Sequence, residues 1–382
     1  VLYLRLARGY RFADLGRWLL TATAAALVAA LLLRALGRAL TDPAAGALVR
    51  LLWCLPPLVA VAWFAAVAAR AVPAGRPDRI TGLTAAGAGP SRIRALIAGE
   101  TALACCFGSA VTLLLFLVLR NDVAGPSLAP ELGMGAHLPA AAPVTLLALV
   151  PLVAGLSAAL AVPALEALPG RPAPAATPRF GALRLALPAG LLLTGLALEL
   201  YGLRPGADQD GRPVKLPAGL GSTSPAALIG WALAALGLFL LTAPALAWAG
   251  RLLSLGRPAP IRLLAGRGLT AEARRLGTPL AVLALALAAV LTTFRYWFDR
   301  PGTAAPLPAV ECLLVLCCVV GAVLVRAAEI RSSRRPVIAA LTQLGAAPRL
   351  LFGAALLRAA TAGTVLLLTG GLTAALAAGA LR

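Results

Sequence analysis

Nine stretches of roughly 20 apolar residues run along this chain, the length at which a helix crosses the hydrocarbon of a bilayer. They fall at about 18–38, 49–72, 96–119, 141–165, 182–202, 225–249, 278–298, 308–327 and 351–380. Inside lipid every backbone N–H and C=O needs a partner from the chain itself, and a helix supplies them all within one segment. The composition agrees. With 60% hydrophobic and only 13% charged residues, most of the chain has lipid for its solvent. The expected fold is therefore all-α, a polytopic transmembrane helical bundle of about nine spans.

A net charge of +20 raises the question of nucleic acid. The basic residues form no dense tract and have few aromatics among them. They sit in the gaps between apolar runs, as topology signals facing anionic headgroups do. Placing the N-terminus inside puts 23 of the 34 basic residues on the inner side, against Arg34, Arg38 and Arg50 at the first outer turn. Acidic residues such as Asp42, Asp122, Glu199 and Glu311 lie outside or near the outer face. The expected location is the cell membrane, multi-pass, with a cytoplasmic N-terminus. The Arg, Ala, Leu, Gly and Pro bias suggests a high-GC bacterial source. The longest outer segments, about 120–140 and 203–224, are too short to fold as a soluble domain.

Several chemistries are excluded. All six cysteines fall in apolar segments, no C-x-x-C pair occurs and His137 is the sole histidine, so no metal site is expected. Lys215, the sole lysine, lies between Val214 and Leu216 rather than in a P-loop, so no ATP hydrolysis is expected in this chain. No catalytic centre can be assembled and no cofactor is expected. The first apolar stretch is followed by Arg34, Ala35, Leu36 and Gly37, and reads as a retained anchor rather than a cleaved leader.

One short motif occurs twice. Leu83-Thr84-Ala85-Ala86-Gly87-Ala88-Gly89-Pro90 returns as Leu341-Thr342-Gln343-Leu344-Gly345-Ala346-Ala347-Pro348, each copy behind an Arg-containing stretch and ahead of a long apolar helix. Gly87 and Gly345 suit a left-handed helix cap, and Pro90 and Pro348 follow where a helix has stopped. Pro336 suits the first turn of a short separate helix with Ile338, Leu341 and Leu344 on one face. Arg92, Arg94 and Arg349 stand where the chain re-enters the membrane. Upstream, 261–269 mixes apolar and Arg positions like a helix lying in the interface, and 4–17 does the same. The repeated order is amphipathic lead-in, span, turn, span, motif, span. This divides the chain into a first module over 1–167, a central helix pair with linkers over 168–255, and a second module over 256–382.

On these residues the chain resembles the FtsX-like permease family, the membrane subunits of MacB-type ATP-binding-cassette transporters. The likeness rests on Leu83, Gly87, Ala88, Arg92, Glu100 and Gly108 in one copy and Leu341, Gly345, Ala346 and Arg349 in the other, with Arg358 where the first copy has Glu100. The family's large extracellular domain is missing. The second module has no counterpart of the helix at 141–165, which leaves the layout one span short of the family's ten. The resemblance implies a permease subunit that couples ATP hydrolysis by a separate cytosolic ATPase, in two copies, to export or mechanical transmission. Leu83, Thr84, Gly87, Pro90, Arg92, Leu341, Thr342, Gly345, Pro348 and Arg349 would be the coupling contacts. A lipid, a lipid-linked molecule or an amphipathic peptide entering from the bilayer is the expected substrate class. Membrane lipids are the other expected partners. The alternatives are a non-transporting scaffold or sensor and, ranked lower, a secondary transporter, for which no midplane ion site is apparent.

Glu100 and Arg358 are candidates for polar contacts within the membrane. Glu100 either meets a neighbouring helix or lies at headgroup depth, and Arg358 is expected to extend to the inner face. The denser cluster of Arg331, Arg334 and Arg335 predicts that the second motif docks by charge more than the first, which follows Arg76, Asp78 and Arg79.

Overall fold

The computed structural model describes residues 12–41, 55–75, 82–83, 85–123, 132–134, 141–161, 182–204, 214–215, 222–256, 259–299 and 306–380. Nine helices account for nearly all of these. They are α1 (Phe12–Thr41), α2 (Leu55–Gly75), α3 (Pro90–Val118), α4 (Ala141–Ala161), α5 (Ala182–Gly202), α6 (Pro225–Leu253), α7 (Pro260–Asp299), α8 (Pro306–Gln343) and α9 (Pro348–Ala380). A π turn, Leu119–Val123, extends α3. Val214–Lys215 and Ser222–Thr223 pair as a small antiparallel ladder ahead of α6. The chain is an all-α, polytopic membrane protein: among the described residues eight helices are long and apolar enough to cross a bilayer. The span expected at 49–72 corresponds to α2, whose apolar part runs over Pro57–Ala69.

Two compact units divide the chain, Val1–Arg171 and Pro172–Arg382. In the first, α1 packs chiefly on α3, α3 on α4, and α4 on α2. Small residues set the spacing. A Cβ on Gly108 would collide with the carbonyl oxygen of Ala22, so α1 and α3 touch backbone to backbone. Beside that contact the Thr112 hydroxyl reaches the Ala26 carbonyl across the interface at 2.9 Å, and Ser157 reaches Ala62 between α4 and α2 at 2.9 Å. Ala29, Leu33, Phe116 and Leu147 form the apolar core where α1, α3 and α4 meet. Leu152, Leu156 and Leu160, one turn apart on α4, stay exposed as a lipid-facing row requires.

The central helix pair is part of the second unit. Gly195 and Gly202 on α5, with Gly230 and Gly237 on α6, each press against backbone of the opposite helix, at a seven-residue repeat on both. Ser224 caps α6 by accepting from Ala227 N–H and donates its own hydroxyl to Gly202 at 2.8 Å. From there α6 packs on α7 and α7 on α9, around Leu246, Leu269, Leu280 and Val365. In each unit the first and third helices of the repeated motif, α1 with α3 and α7 with α9, are thus close neighbours.

Two expectations are corrected. The segment 261–269 is no separate interfacial helix: α7 runs unbroken from Pro260 to Asp299, about 60 Å at 1.5 Å per residue. Pro336 does not begin a short helix either. It lies well inside α8, which continues from its apolar span to Gln343. Arg, Ala and Leu are good helix formers, and no glycine interrupts 322–344, so the helix runs past the edge of the span and on through Pro336.

Candidate functional site: twin glycine turns and an arginine cluster

The two motifs fold into the same turn. Gly87 and Gly345 both take the left-handed conformation, φ +79° and +87°. Ala88 N–H donates to the Leu83 carbonyl at 2.9 Å, and Ala346 N–H to the Leu341 carbonyl at 3.0 Å. Two residues earlier, Ala86 N–H bonds back to Gly82 and Leu344 N–H to Ala340; beyond the turn, Ile93 bonds to Gly89 and Leu351 to Ala347. These bonds occupy carbonyls that a helix end would otherwise leave bare, and only glycine turns the chain this way without a Cβ penalty. Pro90 and Pro348 are then the first residues of α3 and α9. The copies keep one spacing of 258 residues, Gly345 against Gly87, Pro348 against Pro90, and the end of α7 at Asp299 against the end of α1 at Thr41.

Their surroundings differ. Leu83 and Ala88 pack against Ala69, Ile93, Ile97 and Ala158, so the first turn is held to the bundle by its own apolar residues. The second projects: Ile338, Val337, Leu344, Thr342, Pro348 and Arg349 are exposed, Leu344 by 83%, and Leu341 is half-buried. Arg92 is exposed, while Arg94 is half-buried with an Nε that has no partner among the described residues. Thr84 lies outside the described residues, as do Arg76, Asp78 and Arg79.

Glu100 is partly buried along α3. Arg358, its counterpart, is half-buried on α9. Its guanidinium lies over Gly268 of α7, where a Cβ would stand 2.7 Å from Nη1, and Arg334 of α8 reaches the same spot at 3.0 Å. Arg334 also pairs with Glu272 of α7 and approaches the Gly268 carbonyl at 3.4 Å. One ion pair therefore ties α7 to α8, with the arginine of α9 beside it. The sequence offered no signal for this, because Arg334 and Glu272 come from different helices and their meeting depends on the packing angle.

A second missed residue is Glu199, which the charge pattern placed near the outer face. It is buried between α5 and α6, 2% exposed, and its Oε2 has no hydrogen-bond partner among the described residues. Gly379 of α9 stands close by, a Cβ there lying 3.4 Å from Oε1. Among the described residues, no three His, Cys, Asp or Glu side chains group as a metal site would.

No family model matches the chain, and neither a curated protein nor a solved structure is found to match it.

Proposed function

We propose that this chain is the permease subunit of an ATP-driven membrane system, moved by a separately encoded ATPase. The observation that carries the reading is the twin turn: two glycine-capped helix ends with the same hydrogen bonds, at one spacing, each leading directly into a membrane helix. A stiff turn joined to a span passes motion into the bilayer, and two of them suit a partner with two equivalent grooves. Leu83, Gly87, Arg92, Leu341, Thr342, Gly345 and Arg349 are the contacts in this reading, with Thr84 on the first motif and Pro90 and Pro348 starting the driven helices. The N-terminus and both turns face the cytoplasm of a bacterial cell, and ATP is bound and cleaved only by the partner.

The substrate would be lipid, lipid-linked or amphipathic peptide, reaching the helices sideways from the membrane. Exposed apolar side chains along α9, including Phe352, Leu356, Leu367 and Leu368, give such a molecule a surface to approach. Secondary transport gains little from Glu199, since it stands three residues from the end of α5 rather than at mid-membrane. A scaffold role, in which the ATPase binds but nothing is moved, differs only in the outcome of a transport assay.

The test is co-expression with a candidate ATPase and measurement of its hydrolysis in nanodiscs. Stimulation by the intact chain, lost on substituting Gly87 or Gly345, supports coupling. An ATPase whose binding and rate ignore both substitutions rules it out.

A further inference from the structure

The arginines around Gly268 carry a consequence independent of the ATPase reading. Three charged side chains from three helices meet there: Glu272 of α7, Arg334 of α8 and Arg358 of α9. Glu272 pairs with Arg334, and no carboxylate among the described residues pairs with the Arg358 guanidinium. Two cations are therefore held side by side over Gly268 with one anion paired to Arg334, partly out of water, with Arg334 and Glu272 only 20% and 14% exposed. Uncompensated charge in such a place is costly, and a bound anion removes the cost. Arg275, on α7 beside Glu272, adds a further positive field.

The geometry fits a small oxyanion. Arg358 Nη1 and Arg334 Nη2 lie 2.7 Å and 3.0 Å from the point where a Gly268 side chain would begin, so the two guanidinium ends are close enough to share one anion. Arg358 would donate to it directly, while Arg334, whose Nη2 is engaged by Glu272, would add its charge and its remaining N–H groups. The depth fits as well. The apolar span of α8 ends at Arg331, three residues before Arg334, which sets the site toward that end of the span, the end at which a headgroup phosphate would be met. We infer that this cradle between α7, α8 and α9 binds a phosphate group, supplied by an anionic lipid headgroup or by free phosphate.

The test uses the purified full chain in micelles, with its thermal midpoint followed while phosphatidylglycerol, phosphatidylcholine or inorganic phosphate is titrated. Three variants are compared. Arg358→Gln removes the unpaired cation. Gly268→Ala keeps every charge but puts a methyl in the cradle, where only the movable ends of the arginines must give way. Arg262→Gln removes an exposed arginine of α7 outside the site. The expected result is stabilisation by phosphatidylglycerol and none by phosphatidylcholine, with apparent affinity lowered roughly fivefold in Arg358→Gln. Gly268→Ala should lose a similar factor and Arg262→Gln should not. Stabilisation by inorganic phosphate alone, with the same dependence on Arg358 and Gly268, assigns the site to free phosphate. The inference is overturned if neither phosphate source stabilises the protein, or if Arg358→Gln and Gly268→Ala respond as the unaltered chain does. Equal losses in Arg262→Gln overturn it too, by reducing the effect to general surface charge. Midpoints without ligand show whether each variant is folded, and Gly268→Ala carries the test if Arg358→Gln is not.

Discussion

Gly87 and Gly345 hold the same left-handed backbone conformation at the ends of two helix segments, yet one turn is packed against its bundle and the other stands exposed. Each glycine is open to a direct test. A Cβ at either position meets no neighbouring atom, so alanine there is opposed by backbone conformation alone. Gly87→Ala and Gly345→Ala should each destabilise their turn by roughly 1 kcal/mol. Gly99→Ala, inside α3 and also in open space, is the control and should not destabilise. Amide exchange at Ala88 and Ala346 reads the local effect, and ATPase stimulation reads whether it matters.

The ion pair between Glu272 and Arg334 should be worth more than an exposed pair, because both side chains are mostly buried. Glu272→Gln or Arg334→Gln alone leaves the other charge facing Arg358 or Gly268 without its partner. A loss of about 1–3 kcal/mol is expected for each. The double variant should lose less than the two singles together, since it strands no charge. Thermal unfolding of the four proteins of that cycle measures it, and strict additivity would mean the pair does not couple α7 to α8.

Charge-assisted docking should reside in Arg331 and Arg335, which are exposed, rather than in Arg334, which is engaged within the chain. Replacing Arg331 and Arg335 by Gln should weaken ATPase association at low salt, with the difference shrinking as salt is raised. Arg334→Gln should weaken it at every salt concentration, because its effect passes through the fold. Pull-down across a salt series separates the two behaviours.

The contact between α5 and α6 should be intolerant of size. A Cβ on Gly230 would run into the backbone of Glu199, and one on Gly195 into that of Ala234. Gly230→Ala and Gly195→Ala should each cost about 1–3 kcal/mol by forcing the helices apart. Gly190→Ala meets nothing within reach and should be neutral or slightly stabilising through helix propensity. Melting curves in one detergent are sufficient to compare them.

The spans and the twin turns were legible in the sequence because each is a local signal. A run of apolar residues has the length of a bilayer, and glycine followed by proline marks a stop and a restart. The lengths of α7 and α8 were not. Arginines at 262, 267, 274 and 275, and again at 326, 331, 334 and 335, look like the edge of a membrane segment, but arginine is also a good helix former and the helix simply continues. The positions of Arg358 and Glu199 were illegible for a different reason. What surrounds each is decided by glycines on other helices, Gly268 for the one and Gly230 for the other, and spacing along the chain says nothing about such meetings.

The continuity of α8 makes it a lever. Proline at 336 has no N–H to offer the carbonyl one turn back, so the rod has a compliant joint there. Two residues before that joint, Arg334 is fastened to α7, which gives the lever a fulcrum. With that fastening in place, a displacement of the exposed arm from Val337 to Leu344 would be taken up at the joint before it reached the span.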